Sequence, residues 1–132
     1  MNIHEIAVEF PRTQAQAAQA AATAASAPKV YRALLTQSGT NAPVATVLEN
    51  SLGGQVVWSY NAAGDYRGTL SGAFPSGKTF LLICPVSEAT TNIGFGLTRL
   101  NDSVIYVSTS NAGGNGEDSC LQATALEILV YP

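Results

Sequence analysis

The sequence predicts a mainly β protein, an antiparallel β-sandwich or jelly-roll-like head of about eight strands preceded by a short Ala-rich helix. Three observations predict it. From Lys29 onward apolar residues recur with period two, in runs rich in Val, Ile, Leu, Thr and Tyr. Clusters of Gly, Pro, Asn, Asp and Ser interrupt those runs at short intervals. The one stretch of helical composition, TQAQAAQAAATAAS at 13–26, lies wholly before them. An alternating βαβ order, and with it a parallel sheet, is disfavoured. The chain's 132 residues suffice for one two-layer core and an appendage, not for two independent domains.

The first segment, 1–11, carries Ile3, Ile6, Val8 and Phe10 in a short, partly alternating apolar pattern that Pro11 ends. A lone strand of this kind is unstable by itself and needs a host surface. These four residues are therefore the expected docking contacts with another protein. Residues 12–28 are the expected stalk. Thr13 and Gln16 have capping-box spacing, in which the Thr hydroxyl takes the amide three residues on and the Gln side chain reaches back. Ala is the best helix former. Within the helix Ala15, Ala18, Ala22 and Ala25 fall at 3-4-3 spacing, the seam of a short coiled coil between copies of the chain. Such a seam buries little area, so a solvated linker helix is the competing reading, and self-association has to be secured by the flanking regions. Pro28 stops the helix.

The head domain, 29–132, reads as strands at 30–37, 45–52, 55–60, 66–71, 79–84, 92–100, 104–110 and 124–130. Leu52-Gly53-Gly54-Gln55 looks like a tight hairpin, which predicts that the strands before and after it pair. Asn101-Asp102 predicts a second hairpin. Gly94 and Gly96 bracket Phe95, as expected where a strand bends or a neighbour comes close.

Charged residues make up only 11% of the chain against 46% apolar, so much of the surface must be uncharged or covered by another chain. The net charge is −3 and basic residues form no cluster, which argues against nucleic-acid binding. MNIHEIAVEF contains Glu5 and Glu9 and lacks a basic start followed by an apolar run, so it is not read as a signal peptide. No segment reaches the roughly 18 consecutive apolar residues of a membrane span, and membrane insertion is not expected. Two cysteines, Cys84 and Cys120, are too few for a disulfide scaffold; Cys84 is expected as a small buried thiol in a strand, and spacing does not decide whether the two pair.

Residues suited to catalysis are sparse. The single histidine, His4, lies in the docking segment, and no nucleophile-elbow, zinc-protease or P-loop spacing occurs. No enzymatic activity, cofactor or metal is expected. Two weaker readings stand beside that expectation. Asn111, Asn115, Glu117 and Asp118 could offer oxygens to calcium, against the plainer reading of a solvated acidic loop. Trp58, Tyr60 and Tyr66 flank a turn and could form a sugar-stacking face, against the plainer reading of core packing. An enzyme would need a carboxylate pair such as Asp65 and Glu117 in one cleft. The acidic pair Glu117 and Asp118 beside Cys120 would raise its thiol pKa, which argues against a reactive cysteine.

The stretches YRALLTQSGTNAP at 31–43, VLENSLGG at 47–54, Val57-Trp58, YRGTL at 66–70 and ALEILVYP at 125–132 resemble a module recurrent in phages and prophages of Bacteroidetes-type bacteria. The resemblance covers the chain from about Lys29. It implies a non-enzymatic virion structural protein, a head fibre, tail fibre, spike or decoration protein found in the virion after assembly in the host cytoplasm. It also implies a homotrimer that docks on the capsid or another virion protein through its N-terminus and contacts the host surface, including its glycans. A stand-alone carbohydrate-binding module is the alternative.

Overall fold

Alternate burial marks β1, β7 and β8 of the head, and the computed structural model describes residues 13–18, 27–85 and 93–132. The strands are β1 (Lys29–Thr36), β2 (Val44–Asn50), β3 (Val57–Ala62), β4 (Asp65–Thr69), β5 (Thr79–Cys84), β6 (Gly94–Asn101), β7 (Val104–Ser110) and β8 (Thr124–Val130). In β1 the side chains of Tyr31, Ala33 and Leu35 are buried, and in β8 those of Leu126, Ile128 and Val130. β7 does the same with Ile105, Val107 and Thr109. This period of two places one face of each strand on a common core.

Two four-stranded antiparallel sheets result, ordered β2-β1-β8-β5 and β3-β4-β7-β6. They are called the first and second sheet below. Their inner faces share one apolar cluster, including Tyr31 and Ile128 from the first sheet and Trp58, Tyr66 and Val107 from the second. The Trp58 indole Nε1 donates to the Tyr31 hydroxyl at 3.2 Å, joining the two layers inside the core. Gly68 faces Trp58 across β3 and β4, and a Cβ there would lie 3.0 Å from the indole ring. The missing side chain is what admits the large ring.

The expected hairpin joining β6 to β7 forms, with Asn101 ending β6 and the turn at Asp102-Ser103. The Gly53-Gly54 expectation is overturned: β2 pairs with β1, and β3 with β4, so Leu52 to Val56 crosses between sheets. The physical reason is burial. Leu52 and Val56 both enter the core, and the Asn50 side chain closes the bend by accepting from Leu52 N and donating to Gly54 O. Consecutive strands pair within one sheet three times, so the path is that of a hairpin-built sandwich. Gly94 and Gly96 sit where added Cβ atoms would meet Ser110 Oγ at 2.6 Å and Ser108 Oγ at 2.5 Å, so the expected close approach is to side chains.

Ahead of the head, residues 14–18 are helical. Thr13 N donates to Gln16 Oε1 at 3.0 Å and Gln16 N to Thr13 Oγ1 at 3.2 Å, which is the expected capping box. Ala15 and Ala18 are exposed on this turn. Ala22 and Ala25 of the seam, and Ile3, Ile6, Val8 and Phe10 of the docking segment, lie outside the described residues.

Candidate functional site

The two residues expected to stack on sugar beside Tyr60 are core residues. Trp58 is 9% exposed and Tyr66 0% exposed, because both occupy inward positions of β3 and β4. Tyr60 is half-buried and tilts against Tyr66 with ring centroids 5.9 Å apart. The three do not form an exposed face, and the stacking site drawn on them is corrected accordingly.

The two tyrosines instead help build a polar hub around Asp118. Its Oδ1 accepts from Gly64 N at 2.9 Å and from the Tyr66 hydroxyl at 2.8 Å, and its Oδ2 from the Tyr60 hydroxyl at 2.8 Å. The Tyr66 hydroxyl also lies 2.8 Å from Gln37 Oε1, which accepts from Ser119 N. Gln37 Nε2 then donates to the carbonyls of Gly39 and Asn41. Desolvation pushes the Asp118 carboxyl up, but the Gly64, Tyr66 and Tyr60 donors outweigh it and hold the group below its ordinary value. Burial, followed by the hydrogen bond to Asp118, pushes the Tyr66 hydroxyl well above an ordinary tyrosine. The hub ties three chain segments together.

That use of Asp118 changes the reading of the 111–119 loop. Asn111 Oδ1 accepts from Gly113 N and Asn115 N, and Thr109 O accepts from Glu117 N. Of the oxygens offered to calcium, Asn111 Oδ1 and the Asp118 carboxylate are already engaged within the protein, and the described residues contain no group of three His, Cys, Asp or Glu able to hold a metal. Asp65 is engaged by Arg67 at 3.0 Å and by Asn61 at 2.8 Å, so it forms an ion pair rather than a carboxylate pair with Glu117. The Arg67 hydrogen bond, ahead of the Asn61 one and against desolvation, holds its carboxyl below the ordinary value. Both cysteines are free; Cys84 is exposed, contrary to the buried thiol expected, because it points outward at the end of edge strand β5. Burial first, then Glu117 and Asp118, pushes the Cys120 thiol up.

The outer faces of the two sheets differ in chemistry. On the second sheet the outward positions run Val57, Thr69 and Val104 in one row, Ser59, Arg67, Tyr106 and Thr98 in the next, and Asp65, Ser108 and Gly96 in a third, with Val57 65% exposed. The Arg67 guanidinium lies over the Tyr106 ring at 5.8 Å. On the first sheet the corresponding rows are Phe80, Leu129 and Val30, then Leu82, Glu127, Arg32 and Glu49, then Cys84, Ala125, Leu34 and Thr46. Phe80 is 51% and Leu82 52% exposed on edge strand β5, and Leu48 on the opposite edge strand β2 is 64% exposed. Among the described residues Arg32 is the single cation in these rows; its Nε donates to Glu127 at 2.7 Å and its Nη1 pairs with Glu49. A shallow hollow of about 190 Å³ lies on it between Leu34, Leu48 and Leu82.

Sequence reasoning did not single this face out, yet a signal was present. β5 reads TFLLIC, apolar on both faces, which is the pattern of a strand covered on both sides rather than the alternation of a half-exposed one. A second depression, about 440 Å³, lies at the end of the sandwich where Ala27 enters, with Lys29, Lys78 and Tyr131 at its edge and Leu52 and Leu70 in its wall. Among the described residues neither lysine is in an ion pair, whereas Arg32, Arg67 and Arg99 all are. No family model, curated protein or solved structure matches the chain.

Proposed function

We propose that the protein is a non-enzymatic structural protein of a bacteriophage virion, a homotrimeric head fibre, spike or decoration protein. Its N-terminal segment docks on the capsid or another virion protein, the capped helix begins the stalk, and the β head faces outward, where it contacts the host surface. The observation that carries this reading is the apolar outer face of the first sheet, which the described residues leave exposed. Large exposed apolar patches on soluble domains mark protein contacts, and a head built this way works in an assembly. The reciprocal Thr13–Gln16 cap adds support, because it sets a defined helix start just after the docking segment. The resemblance of 31–43, 47–54 and 125–132 to a phage structural module points the same way.

The test is deletion of residues 1–11 followed by assembly of particles. The truncated chain is expected to stay folded and oligomeric and to be missing from purified particles. Incorporation at the level of the full chain would overturn the docking role.

A further inference from the structure

We infer that the depression at the end of the sandwich where Ala27 enters is a binding site for a small anionic sugar, its charge held between Lys29 and Lys78. The inference goes beyond the assembly role and stands without it. Size sets this depression apart. At about 440 Å³ it falls within the roughly 300–1,000 Å³ of sites that enclose small molecules, whereas the hollow between Leu34, Leu48 and Leu82, at about 190 Å³, falls below that range.

The strand register explains how two lysines come to share it. Val130, at the end of β8, pairs with Lys29 of β1 on one side and with Thr79 of β5 on the other, and Tyr131 N donates to Lys78 O at 2.9 Å. Lys29 and Lys78 therefore flank the end of β8, about 10 Å apart at the backbone, which is two strand spacings. The long, flexible stem of each lysine lets both ammonium groups converge on one anion between them. No Asp or Glu lines the depression, and among the described residues neither lysine is in an ion pair. Arg32, Arg67 and Arg99 are all committed to carboxylates, so these two lysines are the cations that the described residues keep for an outside anion. Two like charges facing one concavity repel, and a bound anion removes that repulsion.

The walls select the body that carries the charge. Leu52, Leu70 and Val130 give the depression an apolar side, and Tyr131, 46% exposed, stands at its edge. An aromatic ring beside an apolar wall suits the C–H face of a pyranose, while the exposed turn at Ser71-Gly72 offers polar groups to its hydroxyls. A nucleic acid fits poorly, because two lysines neutralise few phosphates and the net charge of −3 repels the others. To a lysine, a sugar carboxylate and a sugar phosphate are the same chemistry, a compact anion beside a point charge.

The test is titration of the full chain with glucuronate, glucose 6-phosphate, glucose and inorganic phosphate, followed by amide chemical shifts. The expected result is saturable shifts confined to the amides around Lys29, Ser71, Lys78 and Tyr131. Glucuronate or glucose 6-phosphate should bind at least about tenfold more tightly than glucose or inorganic phosphate, and which of the two binds tells a carboxylate source from a phosphate one. The double variant Lys29→Met, Lys78→Met should weaken that binding by about tenfold or more, with the blue-shifted emission of the core Trp58 verifying its fold. The comparison among ligands needs no variant, so it decides the site even where the double variant unfolds. Absence of saturable shifts, equal binding of glucose, or binding unmoved in the folded double variant overturns the site. Equal binding of inorganic phosphate overturns the sugar, leaving capture of a bare anion. Anionic-sugar binding by a chain that never enters particles keeps the site and overturns the virion role.

Discussion

The Tyr66 hydroxyl donates to Asp118 Oδ1 at 2.8 Å, joining a strand of the second sheet to the loop that leads into β8. The hydroxyl is within the same distance of Gln37 Oε1, so one hydrogen is shared between two acceptors. With Gly64 N and the Tyr60 hydroxyl also on the carboxylate, Asp118 is the point at which β1, the β3–β4 turn and the 111–119 loop are held together.

Replacing Asp118 by Ala removes three acceptor contacts and leaves the loop unanchored. The expected loss is about 2–3 kcal/mol, since a hydrogen bond to a charged group is worth about 1.5–3 kcal/mol and the freed hydroxyls regain partial hydration. Urea unfolding at neutral pH measures it.

The same carboxylate gives a pH signature. Its folded pKa is depressed, so its contribution is fully present above the unfolded value and is lost as pH falls through the folded one. Asp65, depressed chiefly by Arg67, acts in the same direction. Stability of the native chain should therefore fall on acidification below the ordinary aspartate range, and Asp118→Asn should show a shallower fall. An unchanged slope in that variant would contradict the assignment.

The loop packs tightly enough to forbid side chains at two glycines. Gly64 has φ +67, and a Cβ there would lie 2.1 Å from Thr109 O; a Cβ on Gly116 would lie 2.1 Å from Ala63 O. Both atoms hit are backbone and cannot swing away. Gly64→Ala and Gly116→Ala should each cost about 3 kcal/mol or more, whereas Gly53→Ala, strained at φ +97 but in open space, should cost about 1 kcal/mol. Thermal unfolding of the three variants orders them.

Trp58 provides a core reporter, being the sole tryptophan. Trp58→Ala should destabilise by about 3–5 kcal/mol through the cavity it leaves. Native emission should be blue-shifted and resist quenching by acrylamide. Emission at the wavelength of free indole would return Trp58 to the surface and revive a stacking role.

Much of the fold was legible because period two and turn chemistry act locally. Residues 79–84, 104–110 and 124–130 are strands at the bounds the pattern gives, and the chain turns at Asp102-Ser103, one residue on from the expected pair. Leu52 to Val56 was misread because a Gly pair signals a tight turn, while the burial of its flanking residues in a core made of both sheets is not a local property. Cys84 was misread for a related reason: in a strand apolar on both faces, sequence carries no inward or outward parity. The Asp118 hub was out of reach, since Gln37, Tyr66 and Asp118 are brought together only by the winding of the two sheets. The apolar outer face was legible in principle, through the unbroken apolarity of TFLLIC.

The most direct measurement is the mass of the unmutated full chain by light scattering across a concentration series. The account predicts three times the 13.7 kDa of one chain at the upper concentrations. A single-chain mass throughout the series would contradict it.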